Sequence, residues 1–249
     1  MGVGDADRGE AGLCGGGQSI PEKMAILARF GYDFLELALT RDELAGLGAG
    51  SHEDYVAAIA NTGLPILSTS MGGFGNFGAA SPDERAATVA ALRGLLGFTK
   101  AIGADTILLA TTEQGENVAE YAGTYREALL PVAEEAASLG VMLAMEHVGW
   151  YKPTTLARLV RAIDHPSVRI YFDMGNCLYV GENPLAQAKI CGPLTGQLHI
   201  KGGPVAPLAA MPLVAVREIL ENAGFQGRGC LEIESGRDER PLAEERGGC

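Results

Sequence analysis

The chain has 249 residues, 47% of them apolar, and a formal net charge of −12. That apolar share supports a sizeable core and excludes global disorder. The charge argues against tight binding to nucleic-acid phosphates, which needs Lys and Arg, and against an anionic membrane surface.

Residues 1–10 are acidic and glycine-rich, and are expected to form a flexible N-terminus without the basic start and apolar stretch of a secretory signal. Residues 11–235 are expected to form one domain, and residues 236–249 a polar tail. Ala11 to Gly17, "AGLCGGG", is the candidate for a weak first strand, since glycine disfavours strand interiors. Pro21 to Phe30 predicts a helix, with Ser19 as its cap and Pro21 in its first turn. "YDFLELAL", Tyr32 to Leu39, predicts a strand, and "HEDYVAAIANTG" a helix that stops at Gly63. "PILSTSM", Pro65 to Met71, is the next strand. "GGFGNFG", Gly72 to Gly78, contains a formal G-x-G-x-x-G. A dinucleotide site would need an acidic residue about 20 positions on, at the end of the next strand, and that strand ends later, at "LLATT". The stretch is expected to be a mobile loop over the mouth of the sheet, with Phe74 and Phe77 as apolar cover.

Ser81, Pro82, Asp83 and Glu84 start a long helix. After it come the strand "DTILLAT", the helix "NVAEYAGTYREALLPVAEEAASLG" and the strand "VMLAME". The helix "TLARLVRAIDH", the strand "VRIYFD", the short helix "NPLAQAKIC" and the strand "TGQLHIK" follow. The helix "PLVAVREILENAG" and the strand "GCLEIE" complete the pattern, with little or no final helix expected. Gly31, Gly63, Gly103, Gly140 and Gly224 stop five of the helices. Strands alternating with helices predict a parallel sheet covered by helices, which a doubly wound sheet or a (β/α)8 barrel satisfies.

Several strands end on ionisable residues: "VMLAME" at Glu146, "VRIYFD" at Asp173, "GQLH" at His199 and "GCLEIE" at Glu234. In a barrel these ends share one rim, where active sites are built. Three carboxylates and one imidazole are a divalent-metal ligand set, and so many like charges require a cation or raised pKa values. The cysteines (Cys14, Cys177, Cys191, Cys230 and Cys249) are scattered and never form C-x-x-C, which points away from disulfides and zinc knuckles and toward a reducing cytoplasm.

The runs "LAMEHVG", "VRIYFDMGN", "GQLHIKG" and "GRGCLEIE", in this order, resemble the xylose isomerase-like TIM barrel superfamily, which includes the sugar phosphate isomerases and epimerases. The resemblance extends from about Pro21 to Glu234 and implies the (β/α)8 TIM barrel. It implies metal ligation by Glu146, Asp173, His199 and Glu234. Glu234 is preferred to Glu232 because the family's ligand lies five residues past the glycine, here Gly229; strand alternation allows either. The implied activity is a divalent-metal-dependent isomerase or epimerase. It would act on a sugar or keto-sugar by proton abstraction next to a carbonyl, through a metal-stabilised enediolate. Glu146 and Glu234 would be the catalytic pair. The alternative is a metal-dependent lyase or dehydratase on a keto-sugar, inosose or keto-glycoside, by β-elimination. Mn²⁺ is the expected ion, with Mg²⁺, Co²⁺ and Zn²⁺ as alternatives.

His147, Trp150, Asn176 and Lys201 are the candidate substrate-binding residues; Lys201 could bind an oxyanion or pair with a carboxylate, and Asn176 could instead hydrogen-bond its own backbone. His147 could equally be a loop histidine packed against Trp150, and Trp150 could equally pack on the barrel. Lys152 stands where ketose 3-epimerases carry a second glutamate, and Asn176 where they often carry a histidine. An endonuclease IV-like reading would need a histidine-rich three-metal cluster, against His52, His147, His165 and His199 here. A non-catalytic barrel would have lost ligands that this chain keeps. The thin barrel ends point to a possible homo-oligomer or partner subunit.

Overall fold

In the computed structural model the described residues are 2–4, 19–39, 41–46, 52–112, 115–202 and 207–232. Their strands are β1 (Gly2–Gly4), β2 (Phe34–Leu39), β3 (Ile66–Gly75), β4 (Thr106–Thr111), β5 (Met142–His147), β6 (Val168–Asp173), β7 (Thr195–Ile200) and β8 (Gly229–Glu232). Each pairs in parallel with its sequence neighbours, and β1 pairs with β8, so the sheet closes into a (β/α)8 barrel.

The helices are α1 (Ile20–Arg29), α2 (Arg41–Gly46), α3 (Glu53–Thr62), α4 (Pro82–Ala101) and α5 (Ala122–Leu139). They continue with α6 (Pro153–Ile163), α7 (Met174–Tyr179), α8 (Pro184–Cys191) and α9 (Leu213–Asn222). Strand alternation builds two cores. Phe34, Leu108, Ala144, Tyr171 and Cys230 pack together inside the barrel. Their neighbours Leu35, Ile107, Leu143, Phe172 and Leu231 join the larger core under the helices.

The local signals account for the helix ends. Ser81 Oγ accepts from Glu84 N at 3.3 Å, and the Glu84 carboxylate accepts from Ser81 N at 2.7 Å, a complete capping box at the start of α4. All five glycines at the expected helix stops have positive φ, between 67° and 91°. α6 ends instead on Asp164, at φ 54°.

The barrel is closed by Gly2–Gly4, within the segment expected to be a flexible terminus, and not by Ala11 to Gly17, which lies outside the described residues. A closing strand is held by backbone hydrogen bonds on both edges, so three residues of little side-chain content can form it. "GGFGNFG" is not a loop throughout. β3 runs on to Gly75, which pairs with Thr111, and Phe74 and Phe77 are buried. Their rings stack at 4.8 Å, and Phe77 lies 5.2 Å from Tyr125, so apolar contact makes this stretch part of the core. α2 and α7 have no counterpart among the predicted elements. The polar tail lies outside the described residues, as does the place of a final helix. Cys177, Cys191 and Cys230 are free and buried. No helix among the described residues is long and apolar enough to cross a membrane.

Candidate metal centre

β5, β6, β7 and β8 deliver Glu146, Asp173, His199 and Glu232 to one end of the barrel. Each offers a ligand atom, and these atoms all lie within 4.8 Å of one another. His199 is the hub. Its Nδ1 lies 2.9 Å from Glu146 Oε1, 3.1 Å from Glu232 Oε2 and 3.6 Å from Asp173 Oδ2. Its Nε2 lies 2.9 Å from Glu36 Oε1. Asp173 Oδ2 is buried and receives no well-directed hydrogen bond among the described residues, although Lys201 Nζ stands 3.0 Å away. Lys201 Nζ also lies 2.8 Å from Glu232 Oε2.

These contacts set the carboxyl groups apart. Burial pushes Glu146 up to about 8, against the opposing pull of His199. Burial would raise Asp173 as well, but Lys201 and His199 hold it well below the usual carboxylate range. Glu232 is likewise lowered, with burial outweighed by His199 and Lys201. Burial alone would lower His199; the Tyr171 oxygen and the carboxylates of Glu232, Glu146 and Glu36 hold it well above the usual histidine range. The arrangement thus places four carboxyl groups around two cationic side chains. A divalent cation fits the surplus of hard oxygen donors, the single imidazole and the under-satisfied Asp173 oxygen.

Asn176 is built into the centre. Its Nδ2 donates to His147 O at 3.0 Å and to Glu146 Oε1 at 3.3 Å, and its backbone N donates to Asp173 Oδ1 at 2.8 Å. That last bond makes Asp173 the cap of α7. Between them, Gly175 lets the chain pass β7: a Cβ there would meet Gly202 O at 2.5 Å and Lys201 Cγ at 2.6 Å. His147 is buried beside Phe172, with ring centroids 6.3 Å apart, and its Nε2 is 3.9 Å from Cys177 Sγ. Burial lowers it to about 4, so it is a neutral imidazole at neutral pH. Trp150, in the connection after β5, is 85% exposed, whereas His147 is buried on the strand itself. Lys152 pairs with Glu116 at 2.9 Å.

Of the expected ligands, Glu146, Asp173 and His199 come together. The fourth carboxylate of the cluster is Glu232, the other residue that strand alternation allowed; Glu234 lies outside the described residues. Glu36, on β2, lies outside the strand-end pattern that marks the other acidic residues. It is buried in mid-strand, and its Oε2 accepts from Ser68 Oγ at 2.6 Å and Tyr171 OH at 2.7 Å. A lone acidic residue in the apolar run "FLELAL" was the available signal, the same kind that singles out Glu146.

The sequence profile of the family described as xylose isomerase-like TIM barrel matches residues 24–247. No curated protein matches the sequence. Among solved structures, 3-keto-D-glucoside 4-epimerase from E. coli superposes with a TM-score of 0.77 at 18% identity, over 99% of this chain and 96% of that one. The IOLI protein, solved with a zinc atom, has a TM-score of 0.74 at 18% identity, over 93% and 88% of the two chains. D-psicose 3-epimerase from Clostridium cellulolyticum, solved with D-tagatose, gives 0.72 at 18% identity, over 93% and 83%.

Proposed function

Since the chain belongs to the xylose isomerase-like TIM barrel family, we propose that it is a divalent-metal-dependent isomerase or epimerase acting on a sugar or keto-sugar by proton abstraction beside a carbonyl. The observation that carries this reading is the cluster of the buried Glu146, Asp173 and His199 with the half-buried Glu232, at the end of the barrel where active sites are built. The superposed epimerases, and the zinc atom in the IOLI protein, support it.

Asp173, His199, Glu146 and Glu232 would hold the ion, with Mn²⁺ as the expected species. When bound, it supplies Lewis acidity to a substrate carbonyl. The chain's own residues handle the protons. Glu146 and Glu232 approach His199 from β5 and β8. One carboxylate takes the proton beside the carbonyl; the other returns a proton, to the opposite face in an epimerisation. Asn176 fixes the Glu146 carboxyl by donating to Oε1. Lys201 keeps Asp173 and Glu232 ionised. Trp150, exposed on the rim, is our candidate for stacking on a sugar ring. We place the protein in the cytoplasm, where its buried thiols stay reduced.

Metal analysis combined with solvent exchange tests this reading. Purified protein should take up about one divalent ion per chain, as the one four-residue ligand set among the described residues requires. Incubated in D₂O with Mn²⁺ and fructose, psicose, tagatose or keto-glycosides, it should place deuterium on the carbon beside the carbonyl of at least one substrate. Glu146→Gln should slow that exchange by about 10²- to 10⁴-fold. Inversion without loss of a substituent, read by product NMR, identifies an epimerase, whereas loss of water or an aglycone identifies a lyase. A protein that takes up no ion, or exchanges no proton with any of these compounds, contradicts the proposal.

A further inference from the structure

His199 offers its two ring nitrogens to two different acidic surroundings. Nδ1 faces Glu146, Asp173 and Glu232. Nε2 faces Glu36, and with Cys230 these residues form a second set of closely spaced donor atoms that shares the same imidazole. The two sets make opposite demands, because the nitrogen that takes a metal ion must be the one without a proton.

Glu36 is committed elsewhere. Its Oε2 already accepts from Ser68 Oγ at 2.6 Å and Tyr171 OH at 2.7 Å. Gln197 Nε2 donates to Tyr171 OH at 2.8 Å and to Ser68 Oγ at 3.2 Å, which directs both hydroxyl protons toward Glu36. With two hydroxyls already donating to its other oxygen, Glu36 serves as the acceptor of this network, so the remaining bond, between Glu36 Oε1 and His199 Nε2 at 2.9 Å, has Nε2–H as its donor. The Tyr171 ring packs against the imidazole, with centroids 4.1 Å apart and planes tilted by 50°. Cys230 packs among Phe34, Leu108, Ala144 and Tyr171 in the apolar interior, poor surroundings for a cation.

We propose that Glu36 is a positioning residue: it holds the proton on His199 Nε2 and turns Nδ1 toward Glu146, Asp173 and Glu232 as the metal-ligating nitrogen. The inference rests on the metal-dependent reading above. A carboxylate on the remote nitrogen of a ligating histidine fixes tautomer and ring orientation and raises basicity. Ser68, Tyr171 and Gln197 fix the carboxylate in turn, so the order extends from the barrel interior to the rim.

Long-range ¹H–¹⁵N spectra of the Zn²⁺-loaded wild-type protein read the tautomer directly. The expected result is a proton on His199 Nε2 and metal on Nδ1. In parallel, calorimetric titration of Zn²⁺ into Glu36→Gln should show affinity weaker by about 10- to 100-fold, with the circular dichroism of the wild type. The wild-type spectrum decides the matter even if the variant fails to fold. A proton on Nδ1, or a folded Glu36→Gln that binds Zn²⁺ as tightly as wild type, overturns this inference and leaves the metal-dependent reading standing. A wild-type protein that binds no divalent ion overturns both.

Discussion

Glu146 and Asp173 are both buried, yet their surroundings drive them in opposite directions. Glu146, pushed up to about 8 by burial against the pull of His199, is mostly protonated at pH 7. Asp173, lowered by Lys201 and His199 despite its burial, is ionised. His199 is protonated at that pH as well, held up by its acidic neighbours. Ligation needs an ionised Glu146 and a neutral imidazole, so metal uptake must expel protons. Protons compete with the ion, and affinity therefore rises with pH. Between pH 6 and 8 the logarithm of the association constant should climb with a slope of about one or more. Titrations in buffers of different ionisation enthalpy should show at least one proton released per ion at pH 7. An affinity that is flat over this range would contradict a protonated Glu146. Glu146 was legible in the sequence because it ends an apolar run. Glu36 has the same chemistry but sits in mid-strand, where a partner 163 residues away gives it meaning.

At the scale of elements, periodicity and capping residues placed the long helices well, because those signals lie within one turn of each end. α7 escaped them. It is six residues long, and its start is set by the Asp173 side chain accepting from Asn176 N, so a residue of the site also shapes the loop after β6. The extension of β3 escaped as well. Glycine in Gly72 to Gly78 signals a turn, yet stacking of Phe74 and Phe77 beneath Tyr125 outweighs that preference. Asp164 shows a local cost left in place. It ends α6 at φ 54°, where five other helices stop on a glycine of positive φ. Relief of the left-handed conformation outweighs the added flexibility of glycine, so Asp164→Gly should stabilise the protein by about 0.5 kcal/mol. That corresponds to a rise of roughly 1–2 °C in the thermal midpoint of a chain this size, measured by calorimetry. A fall in the midpoint would show that the Asp164 side chain holds the turn.

Closure is a property of the whole molecule. β1 joins β2, which carries Glu36, to β8, which carries Glu232. The strand is short, but it covers two edges that would otherwise expose unpaired N–H and C=O groups. Deleting Gly2–Gly4 should therefore lower the thermal midpoint and produce larger species in light scattering, through edge-to-edge association. It should also weaken divalent-ion binding, since β2 and β8 flank the gap. A deletion variant of unchanged midpoint, size and metal affinity would place the closure elsewhere.

The sequence by itself determined the alternation of strands and helices, most helix ends, and the presence of Glu146, Asp173 and His199 at strand ends. Each follows from a period of two or 3.6 residues and from capping chemistry, which neighbouring residues dictate. The tertiary structure decided which segment closes the barrel and that Glu232 completes the cluster. It also turned Lys201 onto Asp173 and Glu232, and it set Glu36 against the far side of His199. These outcomes depend on the register of β8 against β7, and of β1 against both its neighbours. Register is fixed only when the sheet closes, and it alone brings side chains from β2, β5, β6, β7 and β8 around one imidazole.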